Sequence, residues 1–463
     1  RCLQKDASRR YSSAMELEAD LNAFSKGETI ILQQPRASIS IAVLYFENLS
    51  EEKESDYFRA GMTEDIIVEL SKIRSWEVRP RTQVVRYKDQ QLDLLEVGKE
   101  LKVTHILQGS IRKSGQRFRI SAQLVDARTA SAVWAERYDR DLKDVFEIQS
   151  EIAHRIAAAL QVHLTSAEKK EIAKRPTENL EAYDYYLRGR EILFRLTKQG
   201  IDDAIEYFAH AIRTDARYAL AYAGLAQADA IKLSFYGGPD SLADTAIENA
   251  RKALELDPDL AQAHAALGLA YFLKGLSEQA LEECLKAIEL NPYDAFATWI
   301  SGRLVYRMNQ YEEAVWYFKR TIDLLPDFYT AYSDLAQAYQ NWGLQERSLE
   351  AHQKAAEAAR RYLQSFPDEP RAHIFLANSL AALGARLEAA AQGRIASALS
   401  PDDPVMMYNL ACLYSQLGDP DTAISWLKKS IHSGRFDLEW IKRDPDLANL
   451  RNHPEYLALI AKS

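Results

Sequence analysis

The chain has 463 residues, 47% apolar and 27% charged, which is enough to bury a sizeable core and excludes collagen-like, coiled-coil-only or wholly disordered readings. Its 58 Lys+Arg against 67 Asp+Glu leave a net charge of -9, which excludes a general nucleic-acid coat, because phosphate binding needs a cationic excess. Three cysteines (Cys2, Cys284, Cys412) with no CxxC pair indicate neither a disulfide framework nor a structural zinc site, and they fit a reducing, cytoplasmic compartment. No run approaches the ~20 apolar residues of a membrane helix, and no signal segment opens the chain.

Residues 1–30 carry a helical pattern, with Met15, Leu17, Leu21 and Phe24 at helical intervals and Gly27 as a stop, and residues 31–37, with Pro35, read as a linker. Arg1 falls inside the helical pattern, so the natural amino terminus is expected upstream. Residues 38–164 read as a mixed α/β domain. SISIAVLYF suits a buried strand, DYFRAGMTEDIIVELSKI a helix, WEVRPRTQVVRY a strand and LDLLEVGKELKV a helix. Ser114-Gly115 then separates two alternating runs as a hairpin turn would, and FEIQSEIAHRIAAALQVHL closes the domain. The polar stretch 165–179, broken by Pro176, reads as a second linker.

From residue 180 to 436 a fixed period decides the architecture. Pro258, Pro292 and Pro326 are 34 residues apart, as are Pro367 and Pro401. Between Pro258 and Pro292 stand Leu267, Gly268, Tyr271, Ala280 and Ala287, small and large residues that let two antiparallel helices pack closely. This pattern resembles the tetratricopeptide repeat, and about seven repeats fit. The fold class is therefore a small α/β domain followed by an all-α tetratricopeptide-repeat solenoid. Two irregularities, an insertion at Phe235-Tyr236-Gly237-Gly238-Pro239 and about two extra helical turns in the fifth repeat, are expected to be loops or overhangs on one face. Residues 437–463 fit a capping helix sealed by Trp440, Leu447, Leu450, Tyr456 and Leu459.

Two further resemblances bear on function. The opening RCLQKDASRRYSSAMELEADLNAF looks like the last helices of a protein-kinase catalytic domain, with Arg10 at the place of the family's buried arginine and Ala7 where a Pro is usual. Segments IAVLYFENLS, FRAGMTEDIIVELSKI, ILQGSIRKSGQRFRISAQLVDARTASAVWAERYDRDLKDVF and EIQSEIAHRIAAAL resemble the domain similar to the amino-terminal domain of TolB. That domain stands between an output domain and tetratricopeptide repeats in bacterial kinases, class III cyclases and CadC-type regulators. The order implies the carboxy-terminal part of a bacterial Ser/Thr protein kinase.

No catalytic residue is assigned, since the glycine-rich loop, strand lysine, H-R-D and D-F-G of a kinase are missing from these 463 residues. No cofactor or metal is expected either: His154 and His163, the closest histidine pair, are nine apart and do not share a helix face. The carboxylate-rich run at residues 139–144 reads as a solvated turn with Asp144 as a helix cap. Arg79, Arg81, Arg86, Lys88, Arg112, Lys113, Arg117 and Arg119 form a basic stretch that could dock an acidic partner. Residues 38–162 hold 19 basic and 20 acidic side chains, however, so a solvated sheet face is the expected reading.

The remaining candidate is the repeat groove. In this family the second, fifth, ninth and twelfth positions of each first helix point inward, which implies a groove for a protein or peptide partner lined by Phe296, Trp299, Arg303, Tyr306, Gln337, Asn378 and Tyr408. Aromatic and Arg side chains are the usual interface anchors. Trp299 serves equally well as an inter-repeat packing residue, and the sequence does not separate the two. The lysine-and-asparagine clamp of similar proteins is not matched, since the fifth positions are Ala265, Trp299, Ser333, Ile374 and Tyr408. The reading is a non-catalytic interaction and sensing region that recruits partners through the repeat groove; the alternatives are part of an active Ser/Thr protein kinase with the α/β domain as a small-ligand sensor, and a pure scaffold.

Overall fold

The computed structural model describes residues 39–50, 56–90, 92–114, 117–141, 144–432, 441–442 and 444–461. The kinase-like opening, residues 1–30, and Trp440 lie outside the described residues.

The amino-terminal unit is a mixed sheet with strands β1 (Ile39–Val43), β2 (Glu47–Asn48), β3 (Trp76–Val78), β4 (His105–Ser114), β5 (Arg117–Asp126) and β6 (Ala132–Asp141). Their order is β3-β1-β4-β5-β6, with β2 also on β4; β1 runs parallel to β3 and β4, and β4-β5-β6 form an antiparallel meander. The register Ser114↔Arg117 through His105↔Asp126 places the hairpin at the Ser114-Gly115 site read from the sequence. Helices α1 (Asp56–Ser71) and α4 (Val145–Ala159) pack together against the sheet. They bury Phe58, Met62, Ile66 and Leu70 from the first and Ile148, Ile152 and Ile156 from the second, all at helical spacing.

Three local readings are corrected. WEVRPRTQVVRY is a strand only over Trp76–Val78. Pro80 caps a short helix α2 (Arg81–Val84) that runs into a 3-10 turn, because proline cannot donate to a sheet ladder. Asp139–Asp141 belong to β6 rather than to a turn, and Asp144 precedes α4 without a capping hydrogen bond from its side chain. The polar stretch after the α/β unit contains helix α5 (Ser166–Ile172), opened by a reciprocal capping box between Thr165 and Glu168. Helix α3 (Leu94–Leu101), with Asp93 as its cap, completes the unit.

Seven antiparallel helix pairs follow: α6 (Leu180–Leu193) and α7 (Lys198–Thr214), α8 (Ala219–Tyr236) and α9 (Ser241–Leu256), α10 (Ala261–Leu273) and α11 (Ser277–Leu290), α12 (Ala295–Arg307) and α13 (Tyr311–Leu324). Then come α14 (Tyr329–Asn341) and α15 (Gln345–Ser365), α16 (Pro370–Ala382) and α17 (Arg386–Leu399), α18 (Pro404–Gln416) and α19 (Pro420–His432). Each later pair turns through a left-handed residue, Gly275, Asn309, Gly343, Gly384 or Gly418, where a positive φ favours glycine or asparagine. The helices of a pair meet over small residues; a Cβ on Gly268 would stand 2.5 Å from Cys284 Sγ.

The two irregularities are not loops or overhangs, because each packs against distant repeats. Helix α15 has 21 residues, and the Tyr362 hydroxyl in its added turns donates to Arg195 O at 2.7 Å. Phe235 and Tyr236, at the insertion, are buried 1% and 6% exposed and pack against Trp299, Phe328 and the start of α16. The early and late repeats thus clasp one another. A 3-10 segment (Pro445–Leu450) and α20 (Pro454–Ile460) cover the last pair: Leu447, Leu450 and Tyr456 are buried with Tyr408, Ala411 and Leu427. Leu459 packs at its edge. Among the described residues, no helix is long and apolar enough to cross a membrane.

Candidate partner-binding groove

The repeat helices bring Phe296, Trp299, Arg303 and Tyr306 onto one face of α12, Gln337 onto α14, Asn378 onto α16 and Tyr408 onto α18. Trp299 is fully buried: its Nε1 donates to Asp334 Oδ2 at 2.5 Å, and its ring meets Phe235, Phe296 and Phe328 edge to face. In this conformation it presents no surface to a partner and serves inter-repeat packing. Tyr306 and Tyr408 are 7% exposed, the second donating to Asp444 Oδ2 at 2.5 Å. Phe296, Arg303, Gln337 and Asn378 are half-buried and line what remains open.

Part of this face is covered by the chain itself. Gln337 Nε2 donates to Asp446 Oδ2 at 2.9 Å and Asn449 Nδ2 to Ser415 O at 2.9 Å, so the segment Asp444–Leu450 lies along α14 and α18. Cys412, Asp444 and Asp446 cluster there with their donor atoms within 4.8 Å of one another. Burial first, then the Asp444 and Asp446 charges, push the Cys412 thiol well up, so it is no nucleophile at neutral pH. Burial with the Asp444 charge likewise raises Asp446.

Two arginines stand beside the open part of the groove, Arg303 half-buried and Arg371 buried. Arg303 stands 5.1 Å from the Trp299 ring and 5.3 Å from Phe272. Arg371, the first residue after Pro370 on α16, stands 3.5 Å from the centre of the Phe235 ring and 5.4 Å from Phe375. Sequence reasoning missed Arg371, although the inward count from Pro370 reaches it at the second position. Phe235 and Glu369 carried no such signal, since their role depends on a contact between distant repeats.

A second polar site joins the α/β unit to the solenoid. Arg81 is 7% exposed and pairs with Glu64 Oε2 at 2.9 Å, with Glu191 of α6, and with the Tyr45 hydroxyl at 2.5 Å. Arg190 of α6 pairs with Asp65 Oδ1 at 2.9 Å and donates to Gly61 O at 3.0 Å, and the Tyr183 hydroxyl donates to Asp65. Burial raises the Glu64 carboxyl, but the Arg190 and Arg81 charges outweigh it and hold it below the ordinary carboxylate range. Thr82 and Gln83 reach the end of α13 through hydrogen bonds to Leu324 O and Asp323 O.

The basic stretch is not a patch. Arg79, Arg86 and Lys88 pair with Glu77, Glu100 and Asp56, and Arg117 and Arg119 share Asp139. Arg112 donates to Leu49 O and Lys113 lies over Tyr57 and Phe58.

Residues 243–275, 261–294 and 405–431 match models of the tetratricopeptide repeat, and the helix pairs form a tetratricopeptide-type solenoid. Residues 37–158 match the model of the second domain of HilA/YgeH-like transcriptional regulators. The chain is 37% identical over 237 residues to the putative adenylate cyclase 3 of Rhizobium meliloti (strain 1021), an alignment covering 50% of this chain and 40% of that protein. The chain thus spans well under half the length of this curated relative. Similar solved structures include MamA (25% identity, 36% of this chain and 93% of that one, TM-score 0.29) and YrrB, titled a TPR protein with an unusual peptide-binding site (21%, 42% and 93%, TM-score 0.27). PilF of Pseudomonas aeruginosa is 21% identical over 54% of this chain and 99% of its own, with a TM-score of 0.33.

Proposed function

We propose that this chain is the non-catalytic interaction and regulatory region of a bacterial, cytoplasmic signalling protein, in which the repeat groove recruits a protein or peptide and the α/β unit passes the event to an output domain. The observation that carries the reading is the junction: Arg81, Glu64, Asp65, Arg190 and Glu191 lock helix α6 of the first repeat onto the α/β unit through buried ion pairs. A continuous apolar core from Ile41 to Ala351 runs through both. A partner that shifts the repeats therefore shifts the sheet. The relative named a putative adenylate cyclase supports an output domain outside the aligned part, and the kinase-like residues 1–30 favour a Ser/Thr kinase over a cyclase there. The α/β unit is read as TolB-like on its motifs, and the HilA/YgeH-like match supports a domain type found in regulators.

The test separates output from input. The native gene product should phosphorylate a generic substrate, and the 463-residue chain alone should not. Deleting the repeats from the native product should alter regulation while leaving phosphotransfer possible. Phosphotransfer or cyclisation of ATP by the 463-residue chain alone would sink the reading.

A further inference from the structure

We infer that the open part of the groove is a seat for one anionic side chain or terminus of an acidic partner segment, held between the guanidinium groups of Arg303 and Arg371. The inference rests on the groove reading above and names the chemistry of its partner.

Arg371 is 6% exposed and its Nε has no hydrogen-bond partner. Three rings, Phe235, Phe375 and Tyr236, surround it at 3.5, 5.4 and 5.8 Å. Aromatic faces fix a guanidinium in place, but they do not satisfy its in-plane N–H donors. Arg303 is held the same way by Trp299 and Phe272. Among the described residues neither arginine forms an ion pair. The carboxylates nearby are engaged elsewhere: Asp334 accepts from Trp299 Nε1 at 2.5 Å, and Glu369 Oε1 lies 2.8 Å from the Tyr236 hydroxyl and accepts from the Arg371 amide at 3.4 Å. Burial, with the Arg307 and Arg371 charges adding to it, presses the Arg303 charge down although Asp334 opposes. Two neighbouring cations without an ion pair, one of them buried with an unpartnered Nε, form a site that an external anion relieves, and planar guanidinium groups match a carboxylate in two-point geometry.

Two observations favour an acidic peptide over a free anion. Asn378 stands seven residues beyond Arg371 on α16, hence on the same face, and its Oδ1 has no partner; it can accept an N–H, which a peptide backbone offers and phosphate does not. The chain's own Asp444-Pro445-Asp446 already lies against this solenoid face, taken up by Tyr408 and Gln337, so the face accepts acidic side chains carried on a peptide segment.

The experiment is fluorescence anisotropy of a labelled Asp/Glu-rich peptide with the whole chain, alongside its Asn/Gln counterpart and inorganic phosphate as competitor. The acidic peptide is expected to bind with salt-sensitive affinity, to lose about tenfold or more on Arg303→Gln, and to regain part on Arg303→Lys, while the neutral peptide does not bind. Arg371→Gln should act likewise at temperatures where circular dichroism shows it folded; Arg303, the more exposed of the two, keeps the test decisive if that variant fails to fold. Equal binding to Arg303→Gln, equal binding of the neutral peptide, or displacement by phosphate at its own site with the same arginine dependence would each overturn the inference. A native partner retained undiminished by Arg303→Gln would overturn it too while leaving the interaction reading intact.

Discussion

The hydroxyl of Tyr236 lies 2.8 Å from Glu369 Oε1, joining the end of the second repeat to the start of the sixth across 133 positions of sequence. The same oxygen lies 2.8 Å from Leu196 O. A phenol has one proton, so the hydroxyl donates to one of these two acceptors at a time and bridges them. With Tyr362 on Arg195 O, this pins the long α15 and the start of α16 to the first two repeats. An open solenoid touches only its neighbours; this one is latched.

Removing the latch has a readable cost. Tyr236→Phe should lower stability by about 1–3 kcal/mol, because it takes from a buried carboxyl its phenol donor. Denaturant unfolding measures it. An unchanged midpoint would mean that the repeats hold their curvature without this contact.

Trp299 gives a second prediction. Trp299→Ala should cost about 3–5 kcal/mol, the usual loss for a fully buried aromatic, and should free Asp334 from its indole donor. Trp299→Phe should recover part of the packing and none of the hydrogen bond. A loss under about 1 kcal/mol together with weakened partner capture would return Trp299 to the partner surface.

What was legible in the sequence was what depends on local spacing. The 34-residue proline period, Gly268 and the alternating runs around Ser114-Gly115 each report a neighbour a few residues or one repeat away, and the helix pairs and the hairpin follow from them. β6 gave less signal, because AVWAERYDRD is an edge strand whose covered face, Trp134, Glu136 and Tyr138, mixes polar with aromatic residues. Helix α5 was readable from Thr165 and Glu168 as a capping box, although the surrounding polarity reads as a linker. The groove's occupancy was not legible: Phe235 on Arg371, Tyr236 on Glu369 and Asp446 on Gln337 are contacts between residues more than a hundred positions apart, set by how the superhelix closes.

The junction should behave as one cooperative element. Arg81→Ala leaves Glu64 and Glu191 facing each other without their shared cation, and breaking a buried pair in this way costs about 3–5 kcal/mol. Scanning calorimetry should show the α/β unit and the solenoid melting together in the wild type and apart in the variant. Coincident transitions at an unchanged midpoint would show that the apolar core alone couples them.

Asp229 sets a pH dependence whose sign can be worked out. It is 4% exposed on α8, and burial pushes its carboxyl up to about 7 against the opposing charge of Lys232. Its unfolded value is about 4, so between roughly pH 4 and 7 the folded state holds a proton that the unfolded state releases, and its contribution to stability falls as pH rises. Glu69, also raised to about 7 by burial, acts in the same direction. His352 acts oppositely: burial pushes it down to about 4, so the unfolded chain takes up the proton first and stability is lost as pH falls from about 6.5. Asp229→Asn therefore stabilises the chain at pH 7 relative to wild type and does little at pH 4. His352→Gln flattens the acid side instead. Urea midpoints at pH 4, 5.5 and 7 decide it, and an Asp229→Asn difference that shrinks as pH rises would contradict the buried, protonated carboxyl.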